Sequence, residues 1–265
     1  MTSLAWLRGK SPFIILSALT GSILVLFLLG PILSTLVNST PGIPGALGDK
    51  RITDAITVSI TCASVATLLI LVTGVPLAYV LIRYEFKGRG LVDSILDLPI
   101  LIPHNAAGIA ILFFFSSRSL VGGAFNWIGL SFVDTSLGIV VAMAFVSAPF
   151  MVRNAQEAFR AIDPRMERVA RSLGAGPMET FTYVSLPLSL RGILTGTVLT
   201  WARAVSEFGA VVVLAYYPKT APVLLFDVLI GEGLQKAIPI TGILLVIGAF
   251  MFTAFRVIGG GPKTE

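Results

Sequence analysis

Long apolar segments alternate with shorter polar connections along most of this chain. Six such segments approach the ~20 residues that a helix needs to cross a bilayer, the fourth being the shortest. In chain order they are residues 12–37, 57–82, 95–115, 136–152, 192–217 and 238–258. The pattern predicts an all-α membrane protein with about six transmembrane helices, in which 12–37 is the first helix and 57–258 is the core.

The composition excludes a water-soluble globular protein. Hydrophobic residues make up 55% of the chain and charged residues only 12%, and the mean hydropathy is +0.91. Soluble domains carry about 25% charged residues, so a soluble core could not bury this much apolar surface. We therefore expect one transmembrane domain over residues 1–265, surrounded by membrane lipid.

The distribution of Lys and Arg predicts the orientation of the chain. If both termini are cytoplasmic, thirteen of the 19 basic residues lie inside, five lie outside, and Arg203 lies within a predicted helix. Cytoplasmic loops of membrane proteins carry an excess of Lys and Arg. The sequence therefore predicts a multi-pass protein of the cell membrane with both termini in the cytoplasm, and its net charge of +5 requires no nucleic-acid partner.

One polar segment, residues 160–191, separates two of the apolar segments and is expected in the cytoplasm. Asp163 is a favourable N-cap for a short helix, and Gly174 stands where a left-handed stop is expected. A second helix can begin at Gly176 and end at Pro187. The segment therefore predicts two short cytoplasmic helices.

The first of these helices is amphipathic. Met166, Val169, Ala170 and Leu173 follow one another at spacings of three, one and three residues, which places them on one helical face. Such a face either binds a groove on a partner protein or lies on anionic lipid headgroups. The sequence pattern by itself leaves both alternatives open.

No catalytic or nucleotide-binding motif accompanies these segments. Gly9-Lys10-Ser11 ends like a phosphate-binding loop, but that motif needs a glycine where this chain has Leu4. One His and one Cys are too few for the common zinc-enzyme motifs. We therefore expect no catalytic residue, no metal site and no cofactor on this chain, so that any ATP hydrolysis takes place on another polypeptide.

The third apolar segment combines prolines with polar residues at membrane depth. Pro99 and Pro103 each lack a backbone N–H, which predicts a bend in this segment. His104 and Asn105 directly follow the second proline. They either line a passage for substrate or form local hydrogen bonds that repair the bend.

The fifth apolar segment contains two charged residues. Arg203 and Glu207 are four residues apart, which places them on one face of a continuous helix. Because each ionised group costs roughly 2.5–3.5 kcal/mol inside a bilayer, we expect a mutual salt bridge or a wet cavity. With Ser206 they are candidates for the inner part of a passage. Gly192 and Gly196 permit close approach of another helix or of a second copy of this chain.

Part of the polar segment resembles a known loop. The run Arg168-Val169-Ala170, then Gly174, then Leu186-Pro187, resembles the EAA loop of ABC-importer permeases, with Arg168 at the position of the motif's Glu and Val169 at that of its first Ala. The resemblance implies coupling helices that dock on a separate ATPase subunit. The residues expected to take part are Asp163, Met166, Glu167, Arg168, Val169, Ala170, Leu173, Gly174, Leu186 and Pro187.

Two membrane segments resemble a more specific group of permeases. Residues 98–110 (LPILIPHNAAGIA) and 206–222 (SEFGAVVVLAYYPKTAP) are similar to segments of molybdate/tungstate permeases and, more distantly, of sulfate permeases. The family implies the type I importer architecture and alternating access of the membrane domain. It also implies a homodimer of this chain, two ATPase subunits that hold ATP and Mg²⁺, and an extracytoplasmic oxyanion-binding protein.

The expected passage involves six residues of these segments, namely Pro103, His104, Asn105, Arg203, Ser206 and Glu207. The alternatives to a molybdate/tungstate permease are a sulfate/thiosulfate permease, an ion-coupled carrier in which Glu207 or His104 relays protons, and a membrane scaffold through which nothing passes.

Overall fold

The structure, a computed structural model, describes residues 12–258, which are helical for most of their length and contain no β-strand. Residues 1–11 and 259–265 lie outside the described residues. With them lie Gly9-Lys10-Ser11 and the basic residues nearest each terminus, so the cytoplasmic location of both termini stays a prediction. The all-α fold expected from the sequence is confirmed for the described residues.

Thirteen helices make up the described part of the chain, with a short 3₁₀ turn at Thr40–Gly42 and a π-turn at Phe181–Ser185. They are α1 (Pro12–Ser39), α2 (Ile43–Gly48), α3 (Lys50–Arg83), α4 (Arg89–Leu101), α5 (His104–Phe115), α6 (Leu120–Trp127), α7 (Ser136–Arg160), α8 (Pro164–Ser172), α9 (Pro177–Thr180), α10 (Leu186–Val205), α11 (Gly209–Leu214), α12 (Ala221–Gly231) and α13 (Leu234–Ile258).

Several of these helices are long and apolar enough to cross a membrane. Within residues 12–258, four segments meet that condition, formed by α1 with α2, by α3, by α7 and by α13. The bent pair α4–α5 makes a fifth if it is counted as one span. The structure thus has four or five apolar spans by length and composition, where the sequence predicted about six, because the predicted span 192–217 is divided between α10 and α11.

The bend predicted in the third segment is present. Helices α4 and α5 meet at 118° across Ile102 and Pro103. Pro103 has no N–H to donate to α4 and disfavours helical geometry at Ile102, whose backbone is extended. Pro99, by contrast, lies inside α4 without ending it. The bend therefore depends on the second proline.

The fifth segment is not the continuous helix that the sequence predicted. Helix α10 ends at Val205, and α11 begins at Gly209. A Cβ atom at Gly209 would lie 2.6 Å from Asn105 Oδ1, so only glycine allows α11 to begin directly against α5. A long-range contact of this kind leaves no mark in the hydropathy pattern of the segment. The prediction was wrong for this reason.

Helix α7 has extensive contacts in the bundle, packing against α3, α10, α4 and α11. Helix α3 contributes Ala63 and Ala66 to this core, and these small side chains allow close helix approach. Trp201 of α10 belongs to the same cluster, and its indole Nε1 donates to Ser64 Oγ at 3.1 Å. Small residues on α3 and one large residue on α10 therefore set the spacing of the core helices.

The two glycines of α10 serve a contact within this chain. A Cβ atom at Gly192 would lie 2.5 Å from Ala158 Cβ, and one at Gly196 would lie 2.8 Å from Asn154 Cβ. Both neighbours belong to α7. The close helix approach predicted from the glycine spacing is confirmed, with α7 as the partner.

Replacing Gly196 by Val should destabilise the bundle by about 1–3 kcal/mol, because the added atoms overlap α7 in a well-packed contact. Gly21→Val is the matched control, since a Cβ atom there has no neighbour within 4 Å. Thermal unfolding in detergent, followed by circular dichroism, measures the difference. Equal unfolding temperatures for the two variants would show that the α7–α10 contact is loose.

Candidate functional site

Helix α8 has the boundaries predicted from the polar segment. Asp163 is its N-cap, and its Oδ1 accepts a hydrogen bond from the Arg165 N–H at 2.8 Å. After the helix, Gly174 has a φ of +97°, a backbone conformation that residues with a Cβ atom rarely adopt. Both predicted boundary signals are confirmed.

The apolar face of α8 has no cover from the described part of this chain. Met166, Val169 and Leu173 are all exposed, and Leu173 reaches 84% exposure. We call these three residues the α8 face. Ala170 lies half-buried beside them, and Arg168 is exposed. A helix that presents such residues beyond the protein surface is suited to bind another apolar surface.

Glu167 points in the opposite direction, into the protein. Its Oε1 accepts hydrogen bonds from Arg83 Nε at 2.8 Å and from Ser185 Oγ at 2.8 Å, and Tyr79 Oη lies 3.5 Å from Oε2. The sequence grouped Glu167 with the residues expected to take part in coupling to an ATPase, and that role stays a prediction. In the structure its carboxylate is buried among groups of its own chain, so Glu167 is not part of the exposed α8 face.

The same ion pair connects α8 to two membrane helices. Arg83 is the last residue of α3, and its Nη2 donates to the backbone oxygens of Phe159 at 2.7 Å and Ile162 at 3.3 Å. Those oxygens belong to the end of α7 and the turn after it, where helix carbonyls lack helical partners. Arg83 and Glu167 therefore hold α3, α7 and α8 in one fixed arrangement.

Pro187 does not end the second helix of the polar segment, which corrects the sequence prediction. The helical path continues through α9, the π-turn and α10, and Pro187 lies in the first turn of α10. In the π-turn, Leu186 N–H donates to Phe181 O, five residues back. Pro187 has no N–H to donate, but a residue in the first turn of a helix needs no such donor. The wider π-turn before it lets the chain continue in a helical path. Leu186 is half-buried and Pro187 is exposed.

A second polar site lies where the two broken membrane segments meet. Arg203 Nη2 donates to Glu207 Oε2 at 2.6 Å and lies within 3.1 Å of both ring nitrogens of His104. Glu207 Oε1 accepts from the Ala210 N–H at 2.8 Å. The salt bridge expected from the spacing is confirmed, although Glu207 lies beyond the end of α10 and not on a continuous helix.

The burial of these groups is unequal. The Glu207 side chain is only 1% exposed, whereas that of Arg203 is 21% exposed and that of His104 is 45% exposed. A buried carboxylate needs both charge compensation and hydrogen bonds. Arg203 supplies the charge, and the first turn of α11 supplies a backbone donor. The carboxylate is thus hidden behind the guanidinium and the imidazole.

An open cavity of about 660 Å³ lies in front of this cluster. Its lining residues are Pro103, His104, Asn105, Arg203, Ser206, Glu207, Phe208 and Gly209. The structure therefore brings together all six residues that the sequence proposed for a passage, although 97 residues separate the two groups along the chain. Their role in transport stays a prediction.

Sequence reasoning missed a charged cluster between α4 and α7. Arg153 of α7 forms ion pairs with Asp97 at 2.5 Å and with Asp93 at 2.9 Å. The amide of Gln156 donates to Asp93 at 3.0 Å. Two aspartates four residues apart, one just before and one within the third apolar segment, were the available signal, but their partner is more than fifty residues away. This cluster holds the bent segment against α7.

A further polar cluster lies near the other end of α3, around a cavity that also includes Arg51. Asp227 of α12 forms an ion pair with Lys219 Nζ at 2.5 Å and accepts a hydrogen bond from Tyr216 Oη at 2.7 Å. The close contact with this carboxylate raises the pKa of Lys219, because it favours the charged ammonium. The hydrogen bond from Tyr216 acts on the phenol in the same direction. It raises the pKa of Tyr216, because a phenolate could not donate to Asp227. The cluster fixes the connection between α11 and α12.

Comparison with known proteins identifies relatives of this chain. The model of the family described as binding-protein-dependent transport system inner membrane component matches residues 70–260. The molybdate/tungstate transport system permease protein of Pyrococcus abyssi is 37% identical over 259 residues, covering 97% of this chain and 99% of the relative. That of Methanocaldococcus jannaschii is 38% identical over 234 residues, covering 88% of this chain and 92% of the relative.

A second group of relatives is named for the transport of sulfate. A probable sulfate transport system permease protein of Chlorokybus atmophyticus is 37% identical over 198 residues, which cover 73% of this chain and 69% of the relative. The similarity to the sulfate group thus spans less of the chain than the similarity to the Pyrococcus abyssi protein.

Solved structures share the fold at lower identity. A bacterial ABC transporter involved in the import of the acidic polysaccharide alginate contains a chain that aligns with a TM-score of 0.78 and 18% identity, over 99% of this chain and 100% of that chain. The MetNI methionine ABC transporter gives a TM-score of 0.62 and 19% identity, over 78% of this chain and 94% of that chain. At these identities the likeness supports the fold and not the cargo.

Replacing Glu167 by Ala should destabilise the protein by roughly 3–5 kcal/mol, because it leaves the Arg83 guanidinium buried without its counter-charge. Glu157→Ala is the matched control. Glu157 pairs with Arg160 at an exposed position, where such pairs contribute about 0–1 kcal/mol. Thermal unfolding in detergent compares the two variants, and limited proteolysis of the 160–191 segment tests whether α8 is released. A Glu167→Ala variant as stable as the control would contradict the anchoring role.

Proposed function

This chain belongs to the family of binding-protein-dependent transport system inner membrane components and, within it, to the molybdate/tungstate permeases, and we propose that it is the membrane subunit of an ATP-driven oxyanion importer. One observation carries the proposal: the relative from Pyrococcus abyssi is similar over 97% of this chain. The chain is a transport subunit of the plasma membrane and not itself the hydrolysing enzyme.

The cargo is a tetrahedral dianion. Molybdate and tungstate are favoured because relatives named for them match nearly the whole chain. Sulfate, with thiosulfate, is the second candidate, because relatives named for sulfate match about three quarters of it. All of these anions share their charge, and molybdate, tungstate and sulfate share their tetrahedral shape, so the same passage suits them and selection among them falls to the protein that delivers the cargo.

We infer that the α8 face docks on an ABC ATPase subunit, which holds ATP and Mg²⁺. Three observations support this: the face is apolar, it is exposed, and the helix that carries it is fixed to the membrane helices by the buried Arg83–Glu167 pair. A helix that only lies on lipid headgroups would not need a buried ion pair to fix it to the membrane helices. Docking places α8 in the cytoplasm and agrees with the orientation expected from the positive-inside rule.

We further propose that two copies of this chain pair in the membrane, with two ATPase subunits and one extracytoplasmic oxyanion-binding protein. The alginate transporter has been solved in complex with its periplasmic protein, and its membrane chain resembles this one over 99% of its length. Helix α1 is apolar and exposed over nearly all of its length, so it needs lipid or a second copy around it.

The transport mechanism that we propose is alternating access. The ATPase subunits approach one another on binding ATP and move α8 with them. Helices α9 and α10, with the π-turn between them, form one helical path from Pro177 to Val205, roughly 40 Å long at ~1.5 Å per residue. This path connects the docking segment to Arg203 at the cavity. Movement of α8 can therefore change access to the cavity without any contact between ATP and cargo.

The function is tested with the chain reconstituted in proteoliposomes with its ATPase and binding protein. We expect uptake of radiolabelled molybdate that requires ATP and the binding protein, with weaker competition by sulfate than by tungstate. Uptake by the chain alone, driven by a pH gradient without ATP, would instead identify an ion-coupled carrier. Uptake competed more strongly by sulfate would favour the second candidate cargo.

Replacing Gly174 by Val should uncouple ATP hydrolysis from transport. A β-branched residue is strained at a φ of +97°, and relieving the strain would shift the end of α8 and its docked face. We expect hydrolysis to persist while uptake falls about tenfold or more. Gly176→Val is the matched control, since its φ is −69° and the nearest contact of an added Cβ atom is 3.8 Å. Wild-type uptake by Gly174→Val would contradict the coupling role of α8.

A further inference from the structure

In the cavity between the two interrupted membrane segments, the cationic group is partly exposed and the anionic group paired with it is buried. Arg203 and His104 are partly exposed toward it, while the Glu207 carboxylate is 1% exposed. A ligand entering the cavity therefore reaches the guanidinium before it reaches the carboxylate. An anion is the kind of ligand that this order favours.

The guanidinium of Arg203 retains donors for such a ligand. Its contacts with the described side chains all involve Nη2, which binds Glu207 and lies against His104. Nε and Nη1 carry further N–H donors in the guanidinium plane, and each can donate to an oxygen of a tetrahedral oxyanion. Asn105 and Ser206 line the same cavity and add neutral donors.

The hidden carboxylate limits how strongly an anion can bind. Glu207 lies 2.6 Å from the guanidinium, so the pair has no net charge. An unopposed arginine would hold a dianion strongly in a site of low dielectric constant. A transport site must bind its ion well enough for entry and weakly enough for release. The Arg203–Glu207 pair meets both needs.

We propose that this cavity is a transfer site for the tetrahedral oxyanion, in which Arg203 donates to the anion and Glu207 keeps the affinity low. The inference rests on the proposed function, since it assigns a site within that import path. Glu207 has a second role, because its bond to the Ala210 N–H holds the first turn of α11 in place. The carboxylate therefore stays fixed while the anion binds and leaves.

The test uses the Glu207→Gln variant of the complete transporter, purified in detergent with its ATPase and without the binding protein. Gln keeps an oxygen acceptor for Ala210 but removes the negative charge. We expect equilibrium binding of radiolabelled molybdate to tighten about tenfold or more, because the guanidinium is no longer neutralised. In proteoliposomes with the binding protein, uptake per ATPase should fall about tenfold because release becomes slow.

Two further variants control the interpretation. Glu157→Gln removes the same charge from an exposed Glu–Arg pair outside the cavity, and it should leave molybdate binding unchanged. The double variant Arg203→Gln/Glu207→Gln should lose the tightened binding while keeping a neutral cavity. Size-exclusion chromatography and thermal unfolding establish that each variant assembles.

The outcomes separate this inference from the function on which it rests. If the wild-type transporter imports molybdate and assembled Glu207→Gln binds it no more tightly than wild type, the transfer site is refuted and the ion pair is only structural. Tightened binding that persists in the double variant also refutes it, because Arg203 would then not be the contact. If the wild-type transporter imports none of molybdate, tungstate and sulfate, the proposed function itself is wrong, whatever the variants bind.

Discussion

A helix cannot be interrupted inside a bilayer unless its free backbone groups and any nearby charges find partners within the protein, and this constraint governs the centre of the structure. Two membrane segments are interrupted, and the interruptions lie side by side. Glu207 accepts hydrogen bonds from the Ala210 N–H and from the Arg203 guanidinium, so one carboxylate is the partner of both a helix start and the partly exposed cation of the cavity. Glycine at 209 lets α11 begin against α5. The cavity exists because these breaks coincide.

A different physical constraint governs the region around α8. Helix α8 is short, and a helix of nine residues is not stable in isolation. Its position is set by Glu167, which is buried against Arg83, and by Arg83, which also binds the carbonyls at the end of α7. The buried Arg83–Glu167 pair thus fixes the position of the exposed α8 face. The helical path from α9 to α10 then connects the region around α8 with the polar cavity, so continuous helix links the two candidate sites.

Family membership supports the class of transporter and its cargo, whereas local geometry supports the arrangement of charges in the cavity. Similarity over nearly the whole chain supports the class of transporter and the molybdate/tungstate cargo. The geometry adds what similarity does not give, namely that the exposed cation of the cavity is backed by a buried carboxylate. A dianion needs charge compensation in a membrane but must leave again. A neutralised arginine fits that requirement better than either an isolated cation or an apolar channel.

The sequence by itself determined the membrane class, the apolar segments, the caps of α8, the bend after Pro103 and the salt bridge between Arg203 and Glu207. Each of these depends on composition or on residues a few positions apart. Only the tertiary structure decided that Glu167 is buried, that the fifth segment is broken, that Pro187 lies within a continuing helical path, and that Arg153 pairs with two aspartates of α4. These outcomes depend on contacts between residues far apart in the chain, or on a π-turn that hydropathy does not encode. Local rules could name the residues of the cavity, but only packing could show which of them faces an incoming ligand and which lies behind.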